Sequence, residues 1–251
     1  MSKIIQEKIL LFIKQKKITK TKEIEEKFKL TQSSTRRYLI KLENNGLIER
    51  LFGEVILKES QSFRDQDFDE KINSNVDTKR KIAQYASKLA QNYKTIFVDS
   101  GSLCYFLLEY LDKKIELFTN SLSNAKRAID LGFENINIIG GKIKQDTKAI
   151  VNLNEEELIK INFPISFIGV NAIDELGNLY TPEKKEAKAK NDIIKRSIIT
   201  IILAEEEKFN TKSTFNFNSQ NQNIIIVTNA KIRNLKNKNI QIVNTKERNE
   251  L

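Results

Sequence analysis

Apolar residues recur at helical spacing through the first forty-five positions, in three separate stripes. Ile5, Ile9, Phe12 and Ile13 form the first, Ile24 and Phe28 the second, and Thr35, Leu39 and Leu42, at i, i+4 and i+7, the third. Each predicts a short helix with one buried face, and three such faces make one small core. Glu23, Glu25 and Glu26 suit the positive N-terminal end of the second helix. Thr31 is a candidate N-cap for the third, and Asn45-Gly46 a left-handed stop. The period then shortens. Leu47 to Leu51 and Val55 to Leu57 are apolar-rich strand candidates, joined by Phe52-Gly53-Glu54 as a hairpin turn.

A polar stretch from Glu59 to Thr78, containing Arg64-Asp65-Gln66-Asp67-Phe68-Asp69-Glu70-Lys71, reads as a linker or a short connecting helix. From Lys79 onward, helical stripes alternate with short β-rich runs. Strand candidates are Thr95 to Val98, Ile115 to Thr119, Ile136 to Ile139, Ile165 to Val170, Ile198 to Leu203 and Ile224 to Val227. Stripes such as Ile82 to Ala90, Leu103 to Leu111, Leu122 to Leu131 and Ala187 to Ile194 lie between them. That alternation predicts an α/β domain with a largely parallel sheet. The domains are therefore 1–58, a linker at 59–78, and 79–251.

The third helix carries the first chemistry. With Thr35, Leu39 and Leu42 turned inward, Ser33, Arg36, Arg37 and Ile40 fall on the open side. Adjacent arginines on a helix are, taken alone, an ordinary solvated face. Arginine also grips phosphate and binds guanine bidentately, and a helix N-terminus attracts phosphate. The order helix, helix, helix, hairpin is that of a winged helix-turn-helix, which places the pair where DNA is read. Charge agrees: the chain carries +10 overall, and residues 1–60 hold 14 Lys/Arg against 8 Asp/Glu, so +6 of that excess sits at the DNA-reading end. An AT-rich coding bias towards Lys, Asn and Ile explains part of the remainder.

Composition removes several function classes. The chain has no histidine, so Ser-His-Asp triads, histidine bases and the usual zinc sites are excluded, and no metal or catalytic residue is assigned. One cysteine, Cys104, cannot form an intramolecular disulfide and reads as a small buried hydrophobe. No run of eighteen apolar residues is present, and Met1-Ser2-Lys3 leads directly into a helix, so a cytoplasmic protein without membrane association is expected.

Residues 3–58 resemble the N-terminal domain of the DeoR family of bacterial transcriptional repressors, on Thr31, Ser34, Arg36, Arg37, Leu39, Leu42, Gly46, Arg50 and Gly53. Three departures stand out: Tyr38 replaces an acidic residue, Thr35 a β-branched apolar one, and Phe52-Gly53-Glu54 a His-Gly-Gly turn. Tyr38 reads more readily as packing than as a backbone contact. The candidate DNA contacts are Thr31, Gln32, Ser33, Ser34, Arg36 and Arg37, with Arg50 and Lys58 from the wing.

In open α/β sheets ligands bind beyond the carboxyl ends of the strands. The loops there are Asp99-Ser100-Gly101-Ser102, Asn120-Ser121 and Gly140-Gly141. With Phe167-Ile168-Gly169-Val170, Glu186-Ala187 and Lys208-Phe209, this series resembles the DeoR sensor domain over residues 79–230, which is similar in fold to ribose-5-phosphate isomerase. The resemblance implies a Rossmann-like parallel-sheet sensor for a phosphorylated sugar and no cofactor. It implies effector contacts at Asp99, Ser100, Gly101, Ser102, Asn120 and Ser121, close backbone approach at Gly140 and Gly141, sugar hydroxyls on Glu186 and charge from Lys208. Lys208 follows three glutamates and reads equally as a solvated charge. Leu103 stands where a hydroxyl is usual, and Asn152 where glycine is common.

The sequence therefore reads as a homo-oligomeric repressor of sugar-metabolism genes that binds double-stranded operator DNA and answers to a phosphorylated sugar. Two rivals have specific support. An isomerase would press Asp99, Glu186 and Lys208 into catalysis, and an effector-independent DNA-binding protein would fit Leu103 and Asn152.

Overall fold

A computed structural model describes residues 2–16, 18–44, 48–57, 68–217, 223–232, 235 and 240–245. The chain divides into two compact units, Met1–Ser62 and Phe63–Leu251.

The first unit contains helices α1 (Ser2–Lys16), α2 (Thr21–Phe28) and α3 (Gln32–Asn44), with strands β1 (Ile18–Lys20), β2 (Ile48–Leu51) and β3 (Glu54–Leu57). Ile9, Phe12, Ile13, Ile24, Leu39, Leu42, Ile48 and Val55 are buried together, as the stripes require, and Tyr38 joins them rather than facing outward. Strand β1 was not evident from sequence. It pairs antiparallel with β3 to give the order β1-β3-β2. The turn into α3 passes through Lys29 in a left-handed conformation (φ 50°), with Leu30 N–H donating to Glu25 O. Thr31 caps α3 as expected, its Oγ1 accepting from Ser34 N at 3.3 Å. The Asn45-Gly46 stop and Lys58 lie outside the described residues.

The second unit opens with α4 (Phe68–Asn73) and α5 (Val76–Lys88), so the stretch read as a linker contains one helix and the first turn of another. Phe68 is buried there, edge-on to Tyr105. Next come β4 (Thr95–Val98), α6 (Ser102–Leu107), β5 (Glu116–Thr119), α7 (Leu122–Asp130), β6 (Asn135–Ile138), β7 (Lys142–Ile143), β8 (Ile150–Val151), α8 (Glu155–Leu158) and β9 (Phe163–Gly169). The chain continues through β10 (Ala172–Ile173), β11 (Leu179–Thr181), α9 (Lys184–Ile194), β12 (Ser197–Ala204), β13 (Phe215–Asn216), β14 (Asn223–Thr228) and β15 (Ile240–Asn244).

Seven of these strands form one sheet in the order β15-β14-β12-β9-β4-β5-β6, and every pairing is parallel. Strand alternation divides the core. Phe97, Ile168, Ile202 and Ile226 enter one cluster with Ala187, Ile193 and Ile194 of α9. Ile96, Val98, Ile165, Phe167, Ile201, Leu203 and Val227 enter the other, with Ile82 and Ala86 of α5 and Cys104 and Leu107 of α6. Both faces of the central strands are covered, which is why these segments read as nearly unbroken apolar runs. From β4 the chain winds outward through β5 and β6, then returns to β9 on the other side. The reversal leaves a crevice where the carboxyl ends of β4 and β9 part.

Candidate functional site

In the first unit, the polar face of α3 is open. Thr31, Gln32, Ser33, Arg36 and Arg37 are exposed, and Ser34 is half-buried. The hydroxyls are pre-arranged: Thr31 Oγ1 lies 3.2 Å from Ser33 Oγ and donates to Ser34 Oγ at 3.1 Å. The Arg37 guanidinium lies 5.6 Å from the Tyr38 ring centre, so the tyrosine steers its neighbour while packing inward. Arg50, an expected wing contact, is paired within its own unit. Its Nε donates to Glu43 Oε2 at 2.7 Å and its Nη2 lies 2.5 Å from the same oxygen, which ties β2 to α3.

In the second unit, the crevice between β4 and β9 holds a polar pocket. Ser100, Gly101 and Ser102 line it from β4, and Gly169, Val170 and Asn171 from β9. The two loops meet closely, since a Cβ on Gly101 would sit 3.9 Å from Gly169 Cα. Leu103, which stands where a hydroxyl is usual, adds an apolar wall. The first turn of α6 has no side-chain cap, so its leading N–H groups are not covered by one.

Charge enters as buried pairs. Asp99 sits beneath the loop, accepting from Gly169 N at 3.2 Å and from the Lys190 ammonium, which also donates to Gly169 O at 2.9 Å. Burial opposes the charge on Lys190, but the carboxylates of Asp99 and Glu186 outweigh it and raise its pKa. Lys79 lies 3.2 Å from Glu205 and donates to Ser74 O, and Asn75 Nδ2 donates to the other Glu205 oxygen at 3.1 Å. Glu186 accepts from Thr181 Oγ1 at 2.6 Å and from Lys144 at 2.8 Å. Lys208, half-buried on a short 3-10 turn, reaches the pocket with its ammonium 3.1 Å from Glu207. Burial, with the nearby Asp99 charge adding to it, pushes the Cys104 thiol pKa far up, so the cysteine stays protonated and inert.

The structure thus brings Ser100, Gly101, Ser102, Glu186 and Lys208 to one pocket, with Asp99 under it. It does not bring the other four expected contacts to the lining. Asn120 is a brace: its Oδ1 accepts from Ser100 N at 3.1 Å and its Nδ2 donates to Ile150 O at 3.3 Å. Ser121 caps α7 by accepting from Asn124 N. Gly141 serves close packing, because a Cβ there would lie 2.6 Å from Val151 O, and Gly140 contributes its carbonyl to Asn154 N. Asn152 takes φ 51°, a conformation that explains the preference for glycine at its position. Gly169, from the Phe167-Ile168-Gly169-Val170 series, lines the pocket too, and Lys79, Lys190, Glu205, Asn171 and Thr147 do so without having been singled out. Among them only Lys190 carried a signal, one helical turn beyond Glu186 on the same face.

Residues 6–61 match the model of a DeoR-like helix-turn-helix domain, and residues 74–230 match that of the DeoR C-terminal sensor domain. The chain belongs to the DeoR family. Its relatives include the transcriptional regulator GlpR of Haloferax volcanii, 28% identical over 79% of this chain and 78% of that one. IolR of Bacillus subtilis is 29% identical over 74% of each chain. The lactose phosphotransferase system repressor of Staphylococcus aureus is 24% identical over 88% and 89%. Ribose-5-phosphate isomerase A from Methanocaldococcus jannaschii is similar over 54% of this chain and 55% of its own, with a TM-score of 0.41 and 17% identity. DeoR proteins are transcriptional regulators rather than enzymes, so the isomerase reading of Asp99, Glu186 and Lys208 is not favoured. Among the described residues no helix is long and apolar enough to cross a membrane.

Proposed function

We propose that this DeoR regulator represses genes of carbohydrate metabolism and that a phosphorylated sugar in the β4/β9 crevice sets its operator affinity. The observation that carries the reading is the convergence of two serine hydroxyls, the uncapped first turn of α6 and the half-buried Lys208 ammonium on one polar pocket, which Lys79 and Lys190 also line while paired with Glu205 and Asp99. A phosphate dianion fits that set of donors, because N–H groups at a helix start and ammonium ions both favour negative charge. Glu186 and Asn171 also line the pocket, as partners for sugar hydroxyls. Glu186 is held by Thr181 and Lys144, so its orientation is set before a ligand arrives. On α3, Arg36 and Arg37 supply base and phosphate contacts to operator DNA. The active species is a homo-oligomer, since helix-turn-helix proteins pair recognition helices across half-sites.

An effector regulates only by binding the DNA-bound and free conformations unequally. The test is a panel of sugar phosphates beside their unphosphorylated sugars, read by thermal shift and by anisotropy of the full chain on a DNA fragment selected from the source genome. Phosphorylated members should raise the melting temperature and change DNA affinity. A panel in which none does either would overturn the sensor reading.

A further inference from the structure

The tip of the wing breaks two rules of folding at one residue. Strands β2 and β3 are joined by the two residues Phe52 and Gly53, with Leu51 opposite Glu54. Both have positive φ, 43° for Phe52 and 86° for Gly53. That is the two-residue hairpin loop in which Asn-Gly is favoured, because its first position must be left-handed. A bulky aromatic there is a conformational outlier. Phe52 is also fully exposed, at 107% of its reference accessibility, and Leu51 beside it is 45% exposed. Neither feature helps the first unit to fold. Strain and apolar exposure at one position are the expected marks of a contact made with something else.

The surroundings specify the contact. The turn is pinned rather than loose: Thr21 N donates to Gly53 O at 2.9 Å, and Lys20 of β1 lies opposite Glu54 of β3. Lys20 and Lys22, on either side of that anchor, are exposed and basic. A rigid hairpin with an apolar tip, two exposed lysines beside it and a single exposed glutamate, Glu54, after the turn suits the minor groove of a duplex, where Phe serves as a wedge between base steps while Lys meets phosphate. We infer that Phe52 is a DNA-contacting residue that inserts into the minor groove beside the site read by α3. The inference rests on the DNA-reading role of this unit.

The experiment uses the full chain and the tightest duplex it selects from a randomised library. Phe52→Asn keeps the left-handed turn and removes the ring, so it should hold or raise the melting temperature while weakening binding about tenfold, the scale of one lost aromatic contact with a base. Phe52→Trp places a single tryptophan in a chain that has none, and its emission should change on saturation with duplex and become shielded from iodide. Netropsin, which occupies the minor groove, should displace the native chain more readily than Phe52→Asn. Equal affinity of native and Phe52→Asn, or tryptophan emission indifferent to DNA, would overturn the assignment of Phe52 alone. Loss of affinity accompanied by loss of self-association without DNA would also overturn it, making the tip a contact between copies. Failure of the native chain to select any duplex would overturn the DNA reading itself.

Discussion

Replacing Lys190 with methionine should unfold the sensor unit early, and by a calculable amount. The Lys190 side chain is 6% exposed and that of its partner Asp99 2%, so the pair is shielded from water. Removing one member of a buried pair costs about 3–5 kcal/mol, because the remaining charge is left uncompensated. Asp99 would keep the Gly169 N–H and the Ser100 hydroxyl, which places the cost at the lower end, about 3 kcal/mol. For a unit of this size that lowers the melting temperature by roughly 6–12 °C. The double variant Asp99→Asn/Lys190→Met removes both charges and should recover most of the loss. Tyrosine fluorescence suits the measurement, since Tyr85, Tyr93, Tyr105, Tyr110 and Tyr180 lie in the second unit and only Tyr38 in the first. The raised Lys190 pKa fixes the pH window. Its stabilisation is fully present below the unfolded lysine value of about 10.4 and is lost as pH rises through the higher folded value. The gap between native and variant should therefore stay constant across neutral pH. A single variant costing under about 1 kcal/mol, the range of exposed pairs, or a double variant no better than the single one, would refute the reasoning.

Three further outcomes are expected. Thr35 is fully buried in the first unit, and its hydroxyl has no hydrogen-bond partner among the described residues, so Thr35→Val should stabilise that unit by about 1 kcal/mol in a urea titration. Arg37→Ala should weaken binding to the selected operator by about 1–3 kcal/mol if the guanidinium reads a base, with the loss largest on the preferred sequence. Asp174 is buried, which by itself raises its pKa, yet hydrogen bonds from Asn178, Tyr180 and Leu176 hold it below the usual carboxylate value. Its contribution is present above about pH 3.9 and is lost as pH falls through the folded value. Asp174→Asn should therefore destabilise at neutral pH, with the difference from native shrinking in an acid titration.

Much of the fold was legible because the chain announces it by period. The stripes of α1, α2 and α3 and the apolar runs of β4, β9, β12 and β14 need only one face or two to be buried, and their residues show which. The strands β1, β7, β8, β10, β11 and β13 have two or three residues each, too few to display an alternation. Position after a strand picked out Ser100, Gly101 and Ser102, which line the pocket, and also Asn120 and Gly141, which do not. At those positions the strand end is used to brace a loop and to admit the backbone of β8. Lys79 and Glu205 were invisible for a different reason: they stand on α5 and after β12, 126 positions apart, and only the crossover of the sheet brings them within 3.2 Å. Arg50 shows the converse, a basic residue on a wing that is also tied to α3 through Glu43, a pairing the sequence did not reveal.

The winding of the sheet also sets an order in time. Its central pairing, Ile96 on Ile165, joins residues 69 positions apart, and β12 cannot add until β9 is in place. At synthesis rates of about 5–20 residues per second, β4 waits roughly 3–14 s on the ribosome for its neighbour. The first unit closes its own small sheet within Ile18 to Leu57. Ribosome-arrested chains ending before residue 163 and after residue 204 should differ sharply in protease resistance of the second unit but not of the first. A messenger truncated inside that interval would yield a chain with its first unit closed and the central sheet of its second unit still open, so the order of synthesis completes the helix-turn-helix seconds before the sensor fold can form.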